Sequence, residues 1–240
     1  MAKALKCSLV LACLYALLPV GQVLAVSGFA DVGITTISPC PSFGGGSGAV
    51  FGSSFDGCPN SSSASTSIED VNGNGEGFAT LNGPTLLPVL GAGAFSNPNA
   101  RVGVGSTGMR SYQYLGTSPT SISLDIVFEG EATAPAVSDA SGRSNVVVMK
   151  GDDFPFSTDY ASLAFEIIPG TPGLELVGDS TLSLTTNAGP QTLLDSIDIP
   201  LFPGDKIAVW GNLSVSGTRS VSVDALNTLG SSFSDDTGLV

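Results

Sequence analysis

From residue 78 onward the apolar residues of this chain recur at every second position, in short runs separated by Gly, Pro, Asn and Asp. Successive side chains of an extended strand point to opposite faces, so this period buries one face and leaves the other to solvent. The clearest run is 121–128. Ile122, Leu124, Ile126 and Phe128 share one face there, and Ser121, Ser123 and Asp125 the other. Ile207, Val209, Gly211, Leu213 and Val215 form a second apolar face, and Val221, Val223 and Ala225 a third. Leu163 with Phe165 and Ile167, Leu182 with Leu184, and Tyr112 with Tyr114 give shorter examples. The run 146–149 is continuously apolar, as in a strand covered on both sides. Beyond the first 25 residues no window carries a helical period, and the apolar stretch 86–95 is interrupted by Pro88, Gly91 and Gly93. Strands at roughly 8–12-residue spacing predict an all-β fold, a single antiparallel β-sandwich that is jelly-roll-like or immunoglobulin-like.

The first 25 residues follow a different rule. Lys3 and Lys6 precede an apolar stretch at 9–20, and Val23-Leu24-Ala25 offers the small-residue pattern of a signal-peptidase site. The expected layout is a signal peptide at 1–25, a Gly/Ser-rich segment at 26–77 and the sandwich body at 78–240. The Gly/Ser-rich segment is expected to contribute edge strands near 30–37 and 49–55. No later run approaches the ~20 apolar residues of a membrane-spanning helix, so the expected location is secreted or cell-surface.

Charge narrows the partners. The chain has 21 Asp and Glu against 8 Lys and Arg, and Lys3 and Lys6 fall in the leader. So acidic a chain lacks the cations that neutralise phosphates, which excludes nucleic acid and disfavours anionic membrane surfaces. Cys7 and Cys13 also fall in the leader, leaving Cys40 and Cys58. In an oxidising compartment these two are expected to form a disulfide, worth about 3 kcal/mol in the chain-entropy model.

The absence of histidine removes Ser-His-Asp and Cys-His triads and nearly all catalytic zinc sites. Gly178-Asp179-Ser180 resembles the nucleophile block of a secreted esterase, but without histidine Asp179 and Ser180 read as turn residues. The Gly-x-Gly-x-x-Gly string at 103–108 precedes strand-like sequence rather than a helix, so it reads as a turn or bulge. Asp70, Asn72, Asn74 and Glu76 have the early spacing of a calcium loop, although Leu81 stands where the bidentate acid belongs. Calcium there is the one cofactor suggested; a flexible Asn/Gly turn is the plainer reading. Paired carboxylates can hydrolyse glycosides without histidine, but the sequence singles out no pair. Trp210, Tyr112 and Tyr114 are candidates for stacking against sugar. Trp210 has the parity opposite to Ile207, Val209 and Leu213, facing either solvent or a second packed layer.

The segments 201–210 and 211–217, the strand Asp224-Ala225-Leu226-Asn227-Thr228-Leu229 and the run Ser232-Phe233-Ser234-Asp235 together resemble bacterial exoproteins of the PEP-CTERM, or exosortase-substrate, kind. The Pro-Glu-Pro sorting tag that defines the group does not occur in these 240 residues. The resemblance implies a surface or extracellular-matrix role and brings no catalytic residues. The expected function is a non-enzymatic surface or biofilm-matrix protein whose partners are polysaccharide or other matrix components. The alternative is a carbohydrate-binding module, with or without calcium. Non-reducing alkylation and mass spectrometry of the secreted protein should find Cys40 and Cys58 oxidised; two alkylated thiols would contradict this.

Overall fold

The computed structural model describes residues 29–34, 38–39, 63–70, 73–82, 87–98, 100–155 and 160–240. Among the described residues there are twelve strands: β1 (Phe29–Ile34), β2 (Ser38–Pro39), β3 (Ser63–Asp70), β4 (Gly73–Asn82), β5 (Leu87–Ser96) and β6 (Ala100–Gln113), then β7 (Thr120–Thr133), β8 (Ala140–Lys150), β9 (Glu175–Ser183), β10 (Gln191–Leu201), β11 (Lys206–Thr218) and β12 (Ser222–Phe233). They form two antiparallel sheets. Sheet A has the order β1-β6-β11-β8-β9 with β2 added to β6, and sheet B has the order β10-β7-β12-β5-β4-β3.

The last eight strands pair as one long ribbon folded back on itself: β8 with β9, β7 with β10, β6 with β11 and β5 with β12. Rolling that ribbon adds the β8–β11 and β7–β12 pairings. This is the jelly-roll arrangement, which decides between the two sandwich types the sequence left open. The N-terminal strands extend it, with β1 and β2 on sheet A and the β3–β4 hairpin on sheet B. The division expected at residue 77 therefore falls inside β4. β1 coincides with the first expected edge strand. The second, at 49–55, lies outside the described residues, as do Cys40 and Cys58.

Alternation sets the core. Ile122, Leu124, Ile126 and Phe128 of β7 and Ile207, Val209, Leu213 and Val215 of β11 are all buried in the one core between the sheets, where β7 lies opposite β8 and β11 opposite β5 and β12. Val146 and Val148 join them, whereas Val147 and Met149 point to the other side of β8. The continuous apolar run is thus a strand covered on both faces.

The second cover comes from the β8–β9 connection. Its helical stretch Ser162–Ile167, running into Ile168–Gly170, lays Leu163 and Ile168 on the outer face of sheet A, against Met109, Val147, Met149, Ala208 and Trp210. Leu163, Phe165 and Ile167 are therefore helical, not the alternating strand expected. In this segment Leu163 and Ile168 are buried while Phe165 is exposed, a pattern that short windows do not separate from period two. The Gly string at 103–108 lies within β6, in continuous register with β11, rather than at a turn. Gly178-Asp179-Ser180 lies inside β9, and the Ser180 hydroxyl donates to Asp195 at 2.6 Å.

Because Leu124 is fully buried and Ser123 lies on the outer face, their substitutions should separate sharply. Leu124→Ala should cost about 2–5 kcal/mol in chemical denaturation. Ser123→Ala, which loses only an exposed hydrogen bond to Asp198, should stay within about 0.5 kcal/mol of the parent. Equal losses would contradict the assigned parity.

Candidate functional site

Parity and register decide which aromatic residues meet solvent. Trp210 lies on the outer face of β11 but is fully buried. Tyr160 stacks over it with centroids 6.2 Å apart at 27°. Tyr160 is in turn met edge-on by Phe165 at 5.7 Å, and the Arg143 guanidinium lies 6.0 Å from its centroid. Burial, and next its hydrogen bond to Asp179, push the Tyr160 hydroxyl above its usual range. The second packed layer is thus the correct alternative for Trp210, and the indole offers no face to a sugar.

Tyr112 and Tyr114 are corrected in the same way. Both are buried in the inter-sheet core, where Tyr112 packs edge-on against Phe233 with centroids 5.2 Å apart. Burial raises the Tyr112 hydroxyl far above its normal range, and that oxygen has no hydrogen-bond partner among the described residues. The Tyr114 hydroxyl donates to the Ser118 carbonyl at 3.0 Å.

The calcium-loop reading also gives way. Asp70 ends β3 and pairs with Gly73, the first residue of β4, so the segment is a hairpin. Asn74 and Glu76 then stand on an extended strand paired on both sides, where the backbone cannot wrap an ion. Asn72 lies outside the described residues. Among the described residues no group of three or more acidic or thiol side chains is placed to hold a metal.

What the structure does bring together lies on the outer face of sheet B. An open groove of about 390 Å³ crosses β3, β4, β5 and β12, lined by Ser67, Glu69, Asn74, Glu76, Phe95, Asp224 and Leu226. A second lobe of about 510 Å³ shares Ser67, Glu76 and Leu226 with it and adds Ser65 and Phe78. Phe95 is 44 % exposed at one end of the groove. Its position follows from β5, where Leu90, Ala92 and Ala94 take the core face and Gly91, Gly93 and Phe95 the outer one.

A bulge in β12 shapes the floor. Pairing with β5 jumps from Ala225–Ala92 to Leu229–Leu90, so residues 226–228 stand opposite Gly91 alone. The Asp224 carboxylate accepts the Leu226 N–H at 3.1 Å and fixes the turn into the bulge. Leu226 then lies across β5: a Cβ on Gly93 would sit 3.2 Å from its side chain, and one on Gly91 only 2.5 Å from its carbonyl oxygen. This close approach requires glycine at 91 and leaves little room for a side chain at 93. Glu76 and Asp224 are both register partners of Gly93, so they flank a position with no side chain. Their Cα atoms stand two strand spacings apart, about 10 Å. Phe95, Leu226 and the Glu76–Asp224 pair were not singled out from sequence. The parity of β5 contains the signal for Phe95; nothing local announces the bulge.

No known protein family and no curated protein matches the sequence. Among solved structures, a similar chain comes from work on the promiscuous specificity of carbohydrate-binding modules of the β-sandwich superfamily. It shares 9 % identity over 84 % of this chain and 86 % of its own, at a TM-score of 0.27, a likeness too distant to carry an argument.

Gly91 gives the direct test of the groove floor. Gly91→Ala would drive a methyl group into the Leu226 carbonyl and the Phe78 ring, and should cost about 1–3 kcal/mol in denaturant melts. A neutral result would contradict the close approach of the bulge to β5.

Proposed function

We propose that this chain is a non-catalytic secreted β-sandwich of the cell surface or extracellular matrix that holds polysaccharide against the outer face of sheet B. One observation carries the reading: the groove across β3, β4, β5 and β12 combines an exposed ring, a glycine floor and a rim of carboxylates, an amide and hydroxyls. Sugar rings present apolar faces edged by hydroxyls, so a site for them needs apolar surface interleaved with convergent hydrogen-bonding groups. The opposite outer face is closed by the helical stretch packed on Trp210. The leader-like first 25 residues support export, and the lack of histidine supports a binding rather than a hydrolytic role. Asp224, the acid best placed to pair with Glu76, already accepts a backbone N–H of the bulge.

Affinity electrophoresis through gels containing matrix polysaccharide should retard the secreted protein. Phe95→Ala should weaken retention about tenfold, equivalent to roughly 1.4 kcal/mol. Phe165→Ala, which removes the 70 % exposed ring on the helical stretch over sheet A, should leave it unchanged. Loss of retention in Phe165→Ala alone, or release of new reducing ends from the polysaccharide, would overturn the proposal.

A further inference from the structure

We infer that the polysaccharide this groove takes is cationic, built from amino sugars whose amines are free. The inference rests on the reading of the groove as a glycan site and names the chemistry of its occupant. The six strands of sheet B contain no Lys or Arg. They do contain Glu69, Glu76, Asp125, Glu129, Glu131 and Asp224, among other acids. Beyond the leader, Arg101, Arg110, Arg143, Lys150 and Lys206 lie on sheet A, and Arg219 lies in the β11–β12 turn between the two sheets.

Sheet A's lysines are also matched by local acids. Lys150 pairs with Asp205 at 2.5 Å and Lys206 with Asp152 at 3.0 Å. The two sheets therefore differ in kind: the strands of sheet A carry both signs of charge, and those of sheet B carry carboxylates with no Lys or Arg among them.

The groove places three of those carboxylates where one extended ligand meets them. Glu69, Glu76 and Asp224 all line it, and the strands that carry them, β3, β4 and β12, span three strand spacings, about 14 Å. Gly93, between Glu76 and Asp224, contributes no side chain of its own, and the position is covered by the uncharged Leu226 side chain. A uronate or sulfate polymer laid there would bring like charges together, a repulsion that acts as selection against it. An uncharged glycan would use the apolar surface and the hydrogen-bonding capacity of the carboxylates, but not their charge. A free-amine glycan uses the charge as well. Each exposed ammonium–carboxylate pair contributes little alone, so the preference depends on several pairs along one chain and on low salt.

The test is calorimetry of the full secreted chain with a glucosamine oligosaccharide, its fully N-acetylated counterpart and a galacturonate oligosaccharide of equal length. Poly-lysine of matched charge is a fourth arm. At about 0.01 M salt, where the Debye length is about 30 Å, the glucosamine oligosaccharide should bind about tenfold more tightly than the acetylated one, and the galacturonate not at all. At about 1 M salt, where the Debye length falls to about 3 Å, the difference should vanish. Glu69→Gln combined with Glu76→Gln should abolish the preference while keeping binding of the acetylated sugar. Asp236→Asn, which removes a charge outside sheet B, should change nothing. Equal binding of the glucosamine and acetylated sugars would overturn the inference and leave the glycan groove standing. Failure of all three sugars would overturn both. Tighter binding of poly-lysine than of glucosamine would assign the face to a basic polypeptide and overturn the inference.

Discussion

A strand presents two faces, and packing two sheets together covers only one face of each. This constraint governs the whole molecule. The inner faces meet through Leu124, Ile126 and Phe128 on one side and Ile207, Val209 and Leu213 on the other. The outer face of sheet A is apolar around Trp210, Val147 and Met149 and needs a cover of its own, which the β8–β9 connection supplies by turning helical and inserting Leu163 and Ile168. Among the described residues no buried apolar cluster of this kind lies on the outer side of sheet B. Its outward positions are mostly Ser, Thr, Gly, Asn and acids, punctuated by Phe78, Val89, Phe95, Val127, Leu194 and Leu226. The face that needs no cover is the one we propose for ligand binding.

The jelly-roll ribbon also determines where irregularity is tolerated. β12 lies between β5 and β7 in the middle of sheet B, so its bulge interrupts two ladders at once. Such an interruption is costly in a central strand, and here it is accommodated by the glycines of β5 beneath it and by the Asp224 cap. In exchange the bulge raises Leu226 between the two lobes of the groove. The Asp-Ala-Leu-Asn-Thr-Leu run behind the PEP-CTERM resemblance is the sequence that forms this feature. A surface-matrix role for the chain is then a proposal about the groove that this run shapes.

Period-two alternation made β7, β11 and β12 and their buried sides legible in the sequence, because it is a local consequence of strand geometry. β3 was not legible. The run Ser63-Ala64-Ser65-Thr66-Ser67 carries no apolar alternation strong enough to mark a strand, and the strand form of β3 comes from pairing with β4. The parity of Trp210 was readable, but not the identity of its cover, since Tyr160 reaches it from a segment fifty positions earlier in the chain. Tyr112 and Tyr114 share the core parity of Val102 and Val104, which local sequence does not relate to the other sheet. The candidate site depends almost wholly on long-range register, with Glu76, Gly93 and Asp224 aligned across three strands. No spacing in the chain encodes that alignment.

The central claim is that the outer face of sheet B, not that of sheet A, receives the ligand. Amide hydrogen exchange of the protein with and without a bound oligosaccharide tests it directly. The account predicts added protection across β3, β4, β5 and the β12 bulge, with the helical stretch over Trp210 unchanged. Protection confined to that helical stretch, with β4 and β5 unaffected, would contradict it.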